Sequence, residues 1–134
     1  MISDDASKTQ AFRASRNNYK NCNAAVEATK GEVLTYAGRY IGAYYSHSNG
    51  GRTYSCEEVW GQKRPYLIAR KDPWTLAAGT KKNGHGIGLS QAGCKYAGAN
   101  GVKYKEILSF YYPYTTLKTL GTSEETDDYF DIVE

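Results

Sequence analysis

Short apolar and polar stretches follow one another along the chain without the regular strand–helix alternation of a doubly wound fold. The clearest strand pattern is EVLTYAGRYIGAYY, in which two stretches rich in Val, Leu, Tyr and Ile flank Ala37 and Gly38. This arrangement predicts a β-hairpin that turns at the Ala-Gly pair. Residues 66–69 and the stretch TTLKTL, at residues 115–120, predict two further strands.

Three segments of the chain have the pattern of helices. Asn23 is a suitable cap for a helix over residues 24–30, and Ser90 is a suitable cap for one that runs to about residue 97. The stretch KYKEILSFYYPY predicts a third helix, which Pro113 ends. Because helices and strands are mixed without regular alternation, we predict an α+β fold with a mixed, mainly antiparallel sheet core and a few short helices.

Charge is distributed unevenly along the sequence. Residues 121–134 carry six acidic side chains and no basic one, so the preceding 120 residues hold 17 basic and 8 acidic side chains. We therefore predict one domain over residues 1–120, followed by an acidic tail. A domain this basic favours an anionic partner such as nucleic acid, a polyanionic cell wall or an acidic membrane surface, although solubility alone also explains the charge. Zinc-finger spacing and a basic helix interleaved with aromatics are both missing, so we predict no nucleic-acid partner.

Tyrosine dominates the aromatic residues, with 13 of the 18 aromatic side chains, whereas Val, Leu and Ile together number only 18. The aliphatic core is therefore thin, and the tyrosines either complete it or line a half-wet groove of the kind that binds carbohydrate or peptide. Because a chain with so few aliphatics needs large residues inside, we assign Trp60 and Trp74 to the core.

The cysteines and histidines do not form a recognisable metal motif. Cys22, Cys56 and Cys94 are odd in number, and His47 and His85 each precede a cysteine by nine residues. This differs from the tight spacing of a structural zinc site, so zinc is a secondary interpretation and we predict no metal and no cofactor.

Neither a membrane span nor a secretion signal is evident in the sequence. No apolar run approaches the roughly 20 residues of a transmembrane helix. The start, MISDDASKTQ, lacks the basic residues and the apolar stretch of a signal peptide. We expect any export signal to be encoded upstream of this sequence.

The stretch NGHGIGLSQAG, residues 83–93, is the clearest candidate for a functional site. Its glycines permit positive φ and close approach of other groups, and they place His85 on a tight turn just before a predicted helix. The free N–H groups at that helix start favour an oxyanion or a sugar oxygen, and Ser90 and Gln91 add donors and acceptors. The alternatives are a buried His85 bonded to backbone and a Ser90 that only caps the helix. The glycine spacing alone is a weak nucleotide signal, because no βαβ unit surrounds it.

Several motifs in a fixed order resemble the stage II sporulation protein D / amidase-enhancer family. GHGIGLSQAG is followed by GANGVKYKEILSFYYPYTTL, which is similar to the family's helix ending in IL…YY, then a Pro and a short strand. The segment from AAVEATKGEVLTYAG to SNGGRTYSCEEVWG looks like the family's hairpin and its Ser-x-Gly-Gly-x-Thr loop. PYLIARKDPW and the N-terminal KTQAF also match, so the resemblance covers roughly residues 5–120.

The resemblance implies work on peptidoglycan outside the cytoplasm, at the cell wall or the outer face of the membrane. Family enzymes resemble lytic transglycosylases that cut glycan strands, and other members are described as enhancers of an amidase. We predict catalytic roles for His85 and Gln91. The predicted sugar-binding residues are Gln10, Ser48, Gly50, Gly51, Thr53, Gly86, Ser90, Tyr111 and Tyr112.

One departure from the family pattern concerns the general acid. The family's catalytic Glu lies in an alanine-rich helix that precedes the part matched here, so we carry over no catalytic Glu. We interpret Glu57 and Glu58 as exposed, on a strand that points them to opposite faces, Asp72 as a turn residue and Glu106 as a structural residue at a helix start. Three hypotheses follow: an enzyme whose acid comes from an upstream segment or a partner chain, a non-catalytic module that binds glycan or activates an amidase, and a remnant without function.

Overall fold

The computed structural model describes residues 20–120, with seven short strands and five helices in that range. The predicted sugar-binding residue Gln10 and the acidic tail lie outside the described residues. In chain order the elements are α1 (Lys20–Ala28), β1 (Glu32–Tyr36), β2 (Arg39–Tyr40), β3 (Tyr45–Ser46), β4 (Arg52–Thr53), α2 (Cys56–Trp60), β5 (Arg70–Lys71), α3 (Pro73–Ala78), β6 (Leu89–Ser90), α4 (Gln91–Ala99), α5 (Tyr104–Tyr111) and β7 (Thr116–Thr119). The α+β prediction is confirmed. None of the helices between residues 20 and 120 has the length and apolarity needed to cross a membrane.

The described chain divides into two compact units. The first contains residues 20–42 and 117–120, and its sheet has the strand order β2-β1-β7. The predicted hairpin is confirmed: Tyr36 pairs with Arg39 in antiparallel register. Ala37 and Gly38 both have positive φ, at 51° and 79°. Two left-handed residues give the turn a twist that matches the twist of the flanking strands.

The second unit, Ala43–Thr116, is built from two strand pairs and the four helices α2 to α5. Strand β3 pairs in parallel with β6, and β4 pairs antiparallel with β5. Both pairs are only two residues long, so the strands contribute few of the contacts that hold the unit together.

The core of the second unit contains nearly as many polar as apolar side chains, which the sequence did not predict. Its buried apolar side chains are Cys56, Tyr66, Leu67, Ile87, Ala97, Ile107, Tyr111 and Tyr112. Its buried polar side chains are Ser46, Ser48, Asn49, Thr53, Asp72, Thr75 and Ser90. Buried polar groups require hydrogen bonds, so the order of this unit depends on a polar network as well as on apolar packing.

The structure changes the predicted layout in the middle of the chain. Residues 66–69 do not form a strand; Tyr66 and Leu67 are buried in a turn, and β5 starts at Arg70. Short helices stand on both sides of that turn. Helix α2 begins at the capping box of Ser55 and Glu58, and α3 begins after the N-cap Asp72.

The other elements lie close to their predicted positions. Helix α1 starts at Lys20, earlier than predicted, and ends at Ala28. Helix α4 follows Ser90 and ends at Ala99, α5 ends before Pro113, and β7 lies within residues 115–120. These segments carry strong local signals, namely a cap, a proline and a run of β-forming residues.

Candidate functional site

A tight glycine-rich loop connects α3 to β6 in the second unit. Its backbone is in the left-handed region at Gly86 (φ 78°) and Gly88 (φ 70°). A side chain has no room there either: a Cβ at Gly86 would lie 2.5 Å from Cδ1 of Tyr54, and one at Gly88 would lie 2.2 Å from the Tyr44 carbonyl oxygen. The loop therefore presses directly against its neighbours, and this contact fixes the side chains between the glycines.

His85 lies in this loop with both ring nitrogens turned toward the protein. Nδ1 accepts the N–H of Ile87 at 2.8 Å, so the proton of the neutral ring is on Nε2. Nε2 is buried, and no acceptor lies within the distance and angle limits of a hydrogen bond to it. The backbone of Tyr45 nevertheless interacts with the ring. Burial, and then the charge of Lys82, lower the pKa of His85 against the opposing effect of Tyr45. The ring is therefore a neutral imidazole near pH 7.

The His85 ring, which is partly buried, also belongs to an aromatic cluster. The ring centroid lies 5.2 Å from that of Trp60 and 6.4 Å from that of Tyr44, and the latter two rings are 4.9 Å apart in an edge-on arrangement. Trp60 is 45% exposed, so its assignment to the core is wrong. The reason is local: α2 is a single short helix that buries Cys56 at its start and leaves its last residue at the surface.

Two cations lie against the ring of Tyr54, which also contacts the glycine loop. The Arg52 guanidinium carbon is 3.9 Å from the ring centroid, and Lys82 Nζ is 4.9 Å from it. Arg52 also forms an ion pair with Glu58. Partial desolvation opposes ionisation of Glu58, but hydrogen bonds from Ser55 and the Arg52 guanidinium outweigh it and lower the pKa of this carboxyl. A general acid needs the opposite shift.

A fully buried carboxylate, Asp72, lies at the centre of the polar core. Oδ2 accepts hydrogen bonds from Asn49 Nδ2 at 2.8 Å, the Thr75 hydroxyl at 2.6 Å and the Tyr111 hydroxyl at 2.6 Å. Oδ1 accepts the backbone N–H groups of Trp74 and Thr75, both at 3.1 Å, as the cap of α3. Five donors therefore satisfy this buried carboxylate, and through it the loop before β4 is joined to α3 and α5.

Ser90 and Gln91 occupy different environments at the start of α4. Ser90 is fully buried; its hydroxyl accepts the N–H of Gly93 at 3.3 Å and is hydrogen-bonded to the Thr75 hydroxyl at 2.8 Å. The interpretation of Ser90 as a helix cap is confirmed. Gln91 is exposed at the first position of the helix. Its catalytic role stays a prediction.

The predicted sugar-binding loop at residues 48–53 is mostly interior. Ser48 is fully buried and Thr53 is 2% exposed, and their hydroxyls donate to backbone carbonyls at 3.2 Å and 2.8 Å. Gly51 is buried against Leu76, and a Cβ there would lie 2.5 Å from a methyl carbon of that side chain. Of the four predicted sugar-binding residues in this loop, Gly50 is the exposed one. Direct sugar contact by Ser48 or Thr53 therefore requires a different local conformation.

The two tyrosines at the end of α5 are also interior. Tyr111 is 2% exposed and Tyr112 is 3% exposed. The hydroxyl of Tyr111 donates to Asp72, and that of Tyr112 donates to the Tyr44 carbonyl, each at 2.6 Å. Burial, and for Tyr111 also the Asp72 carboxylate, raises the pKa of both phenols. Trp74 is partly buried against Tyr111, with ring centroids 5.9 Å apart, in agreement with its core assignment.

The remaining candidate groups are structural or exposed. Glu57 and Glu58 lie on α2 and not on a strand, so the strand geometry predicted for them is wrong; both are exposed, as predicted. Glu106 lies in the first turn of α5, as predicted. Cys56 and Cys94 are free thiols, and burial raises the pKa of both. Within residues 20–120, no three side chains of His, Cys, Asp or Glu come together as a metal site.

Sequence reasoning missed the two features that organise this site. The Asp72 network has no periodic signature, because its members Asn49, Thr75 and Tyr111 are far apart in the chain. The Asp-Pro pair at the start of α3 was a usable signal, since Asp followed by Pro is typical of a helix N-terminus. The exposure of Trp60 carries no such signal, because helix α2 is too short to show a periodicity.

Comparison with known proteins finds similarity over parts of the chain. No protein-family model matches it. The amidase enhancer of Bacillus subtilis (strain 168) is 55% identical over 62 residues, which is 42% of this chain and 9% of that protein. An uncharacterized protein of Brachyspira hyodysenteriae is 33% identical over 82 residues, covering 55% of this chain and 22% of that protein.

A further relative is the stage II sporulation protein D of Bacillus amyloliquefaciens, which is 37% identical over 57 residues. That match covers 42% of this chain and 17% of the relative. The chain thus spans less than a quarter of the length of each of these proteins. In sequence it is related to the amidase enhancer and to stage II sporulation protein D.

Proposed function

We propose that this chain is part of a cell-wall remodelling or sporulation protein and binds the glycan strands of peptidoglycan. The proposal places it outside the cytoplasm, where that polymer lies. The sequence relationship to the amidase enhancer and to stage II sporulation protein D supports this role. The structural observation that supports it most is the surface beside the glycine loop. There, two cations lie against Tyr54, and His85 packs in an aromatic cluster.

This surface matches the chemistry of a glycan strand. Sugar rings present apolar C–H faces that suit aromatic side chains, and their oxygens and carboxylates suit Arg and Lys. Arg52 and Lys82 both lie within 5 Å of the Tyr54 ring centroid, and Lys82 carries no carboxylate partner among the ion pairs found in residues 20–120. The excess of basic side chains before the acidic tail favours approach of an anionic polymer.

Cleavage of the strand is a further step that requires a general acid. The pKa of Glu58 is lowered, and Asp72 is sealed in the core with five hydrogen-bond donors. Neither group suits proton donation to a glycosidic oxygen. A lytic transglycosylase reaction would therefore use a carboxylate other than these two, and we propose that an upstream segment or a partner chain supplies it.

The first experiment measures binding and cleavage together. The chain is incubated with purified, peptide-free glycan strands, and bound protein is quantified by co-sedimentation while mass spectrometry searches for 1,6-anhydro ends. We expect binding, and we expect the Arg52→Gln/Lys82→Gln double variant to bind about tenfold more weakly. Lys105→Gln, which removes a cation near the Tyr104 ring on α5, is the matched control.

The outcomes separate the proposals. Anhydro products from the chain alone support a lytic transglycosylase, whereas binding without products supports a non-catalytic module. Failure of the wild-type chain to bind any glycan refutes the proposed function.

A second candidate function is enhancement of a cell-wall amidase. The 55% identity to the amidase enhancer over 62 residues supports it. It is tested by adding the chain to an amidase acting on intact cell walls and measuring peptide release. A rise in rate supports this function, and an unchanged rate contradicts it.

A further inference from the structure

We propose that Trp60 is the residue on which a sugar ring of the glycan stacks, and that His85 acts as a positioning residue that holds the indole in place. This inference rests on the proposed function and names the contact within it. It reverses the core role that the sequence suggested for Trp60.

Trp60 has the environment of a ligand-stacking residue. Nearly half of it is exposed, and it is also held by rings at 4.9 Å and 5.2 Å, those of Tyr44 and His85. The following residue, Gly61, is also uncrowded, because a Cβ there would meet no heavy atom within 4 Å. An aromatic ring that is fixed and exposed loses little conformational entropy when a flat ligand covers it.

His85 is better placed to support Trp60 than to bind the sugar itself. Its Nδ1 is used by Ile87 N–H, and its Nε2 is buried. The part of the ring left for contact is its carbon framework, which faces the indole and the ring of Tyr44. The positive φ of Gly86 and Gly88 holds the loop that carries His85 against Tyr54 and Tyr44.

A hexose ring from a glycan is the occupant that fits the neighbouring charges. Trp60 is on the same short helix as Glu58, which joins Arg52 and hence the cationic Tyr54 surface. Apolar stacking beside cations and hydrogen-bonding groups suits an acetylated, carboxylate-bearing sugar polymer. An apolar protein segment would take those charges out of water and offer them no polar group in exchange.

The test uses the indole as its own reporter. The chain contains two tryptophans, so a Trp74→Phe variant leaves Trp60 as the single tryptophan, which is excited selectively at wavelengths where tyrosine does not absorb. Adding chitotetraose, and separately peptide-free glycan strands, is expected to shift the emission of Trp60 to shorter wavelength and to protect it from iodide quenching. In the wild-type background, Trp60→Ala is expected to weaken binding about tenfold, while Tyr96→Ala, another exposed aromatic, leaves it unchanged.

Two substitutions of His85 distinguish positioning from direct contact. His85→Phe keeps a ring against Trp60 and is expected to retain most of the affinity, whereas His85→Ala is expected to lose several-fold. Equal loss in both variants overturns the positioning role, because it would point to an imidazole nitrogen that contacts the sugar. Circular dichroism confirms that each variant is folded at the temperature used.

The inference and the proposed function fail in different ways. Full glycan affinity in Trp60→Ala, together with unchanged Trp60 emission when glycan is added to Trp74→Phe, overturns the inference and leaves glycan binding intact. Absence of glycan binding by the wild-type chain overturns both.

Discussion

At the scale of single residues, His85 shows how a local hydrogen bond decides chemistry. Acceptance of the Ile87 N–H at Nδ1 fixes the tautomer, and burial lowers the pKa of the ring. A neutral ring with both nitrogens turned inward differs from the catalytic imidazole that the sequence suggested for this glycine loop. The alternative of a histidine bonded to backbone describes this conformation better. A catalytic role for His85 stays a prediction, and it requires Nε2 to become accessible.

The lowered pKa of His85 predicts a pH-dependent contribution to stability. Because the unfolded state takes up a proton near pH 6.5 while the folded state resists it, this contribution is present above that pH and is lost as the pH falls. The excess unfolding free energy of the wild type over His85→Gln should therefore shrink between pH 7.5 and pH 5. Urea denaturation at a series of pH values measures it, with His47→Gln as control. If the difference in unfolding free energy between the two proteins stays constant or increases as the pH falls, the pKa of His85 is not lowered.

The residue scale also shows what sequence reasoning can reach. The cap at Ser90 and the glycine loop around His85 were predictable, because Ser before a helix and clustered glycines have local causes. The burial of Ser48 and Thr53 and the exposure of Trp60 were not, because each depends on which distant segments cover the residue.

At the scale of elements, helix α4 contains two glycines whose surroundings differ. A Cβ at Gly93 would lie 2.0 Å from the Tyr111 hydroxyl and 2.5 Å from Thr75 Oγ1, whereas one at Gly98 would meet no heavy atom within 4 Å. Gly93→Ala should therefore lower the free energy of unfolding by about 3 kcal/mol through overpacking. Gly98→Ala should raise it by about 0.5–1 kcal/mol through helix propensity. Urea denaturation measures both changes in unfolding free energy. Equal effects at the two positions would contradict the described packing.

The Asp72 network predicts a graded pair of effects. Asp72→Asn removes the charge and replaces one acceptor with a donor, so several buried donors lose their partner and we expect a loss of roughly 3 kcal/mol. Tyr111→Phe removes one of the five hydrogen bonds and should cost about 1–2 kcal/mol. Both losses are measured by chemical denaturation. A loss for Tyr111→Phe larger than that for Asp72→Asn would contradict the central role of the carboxylate.

Prediction of the elements succeeded where the signal was local. The hairpin at Ala37-Gly38 and helix α5 follow from a turn and a proline in the sequence. The interval that contains α2, β5 and α3 was misjudged, because elements of two to six residues are too short for a hydrophobic period to identify.

At the scale of the whole molecule, the mixed polar and apolar core explains how a chain with few aliphatics forms ordered structure. The α+β class followed from the order of the elements, but the buried polar network did not, because it joins residues that are far apart in the chain. The prediction of one domain over residues 1–120 stays a prediction.

The cationic surface predicts that glycan binding depends on salt. Ion pairs between a basic protein and an anionic polymer weaken as ionic strength rises, because counterions screen them. Affinity for peptide-free strands should therefore fall between 50 mM and 300 mM NaCl, and should fall less steeply in Arg52→Gln/Lys82→Gln. The same co-sedimentation assay measures both slopes. Salt-independent binding would show that the cations do not face the glycan.

The most direct measurement of the central claim is an NMR titration of the ¹⁵N-labelled chain with peptide-free glycan strands. The account predicts that the indole N–H signal of Trp60 and the backbone signals of residues 84–88 move with added glycan, while the indole signal of Trp74 stays in place. Absence of shifts, or shifts confined to residues away from Trp60 and the glycine loop, would contradict it.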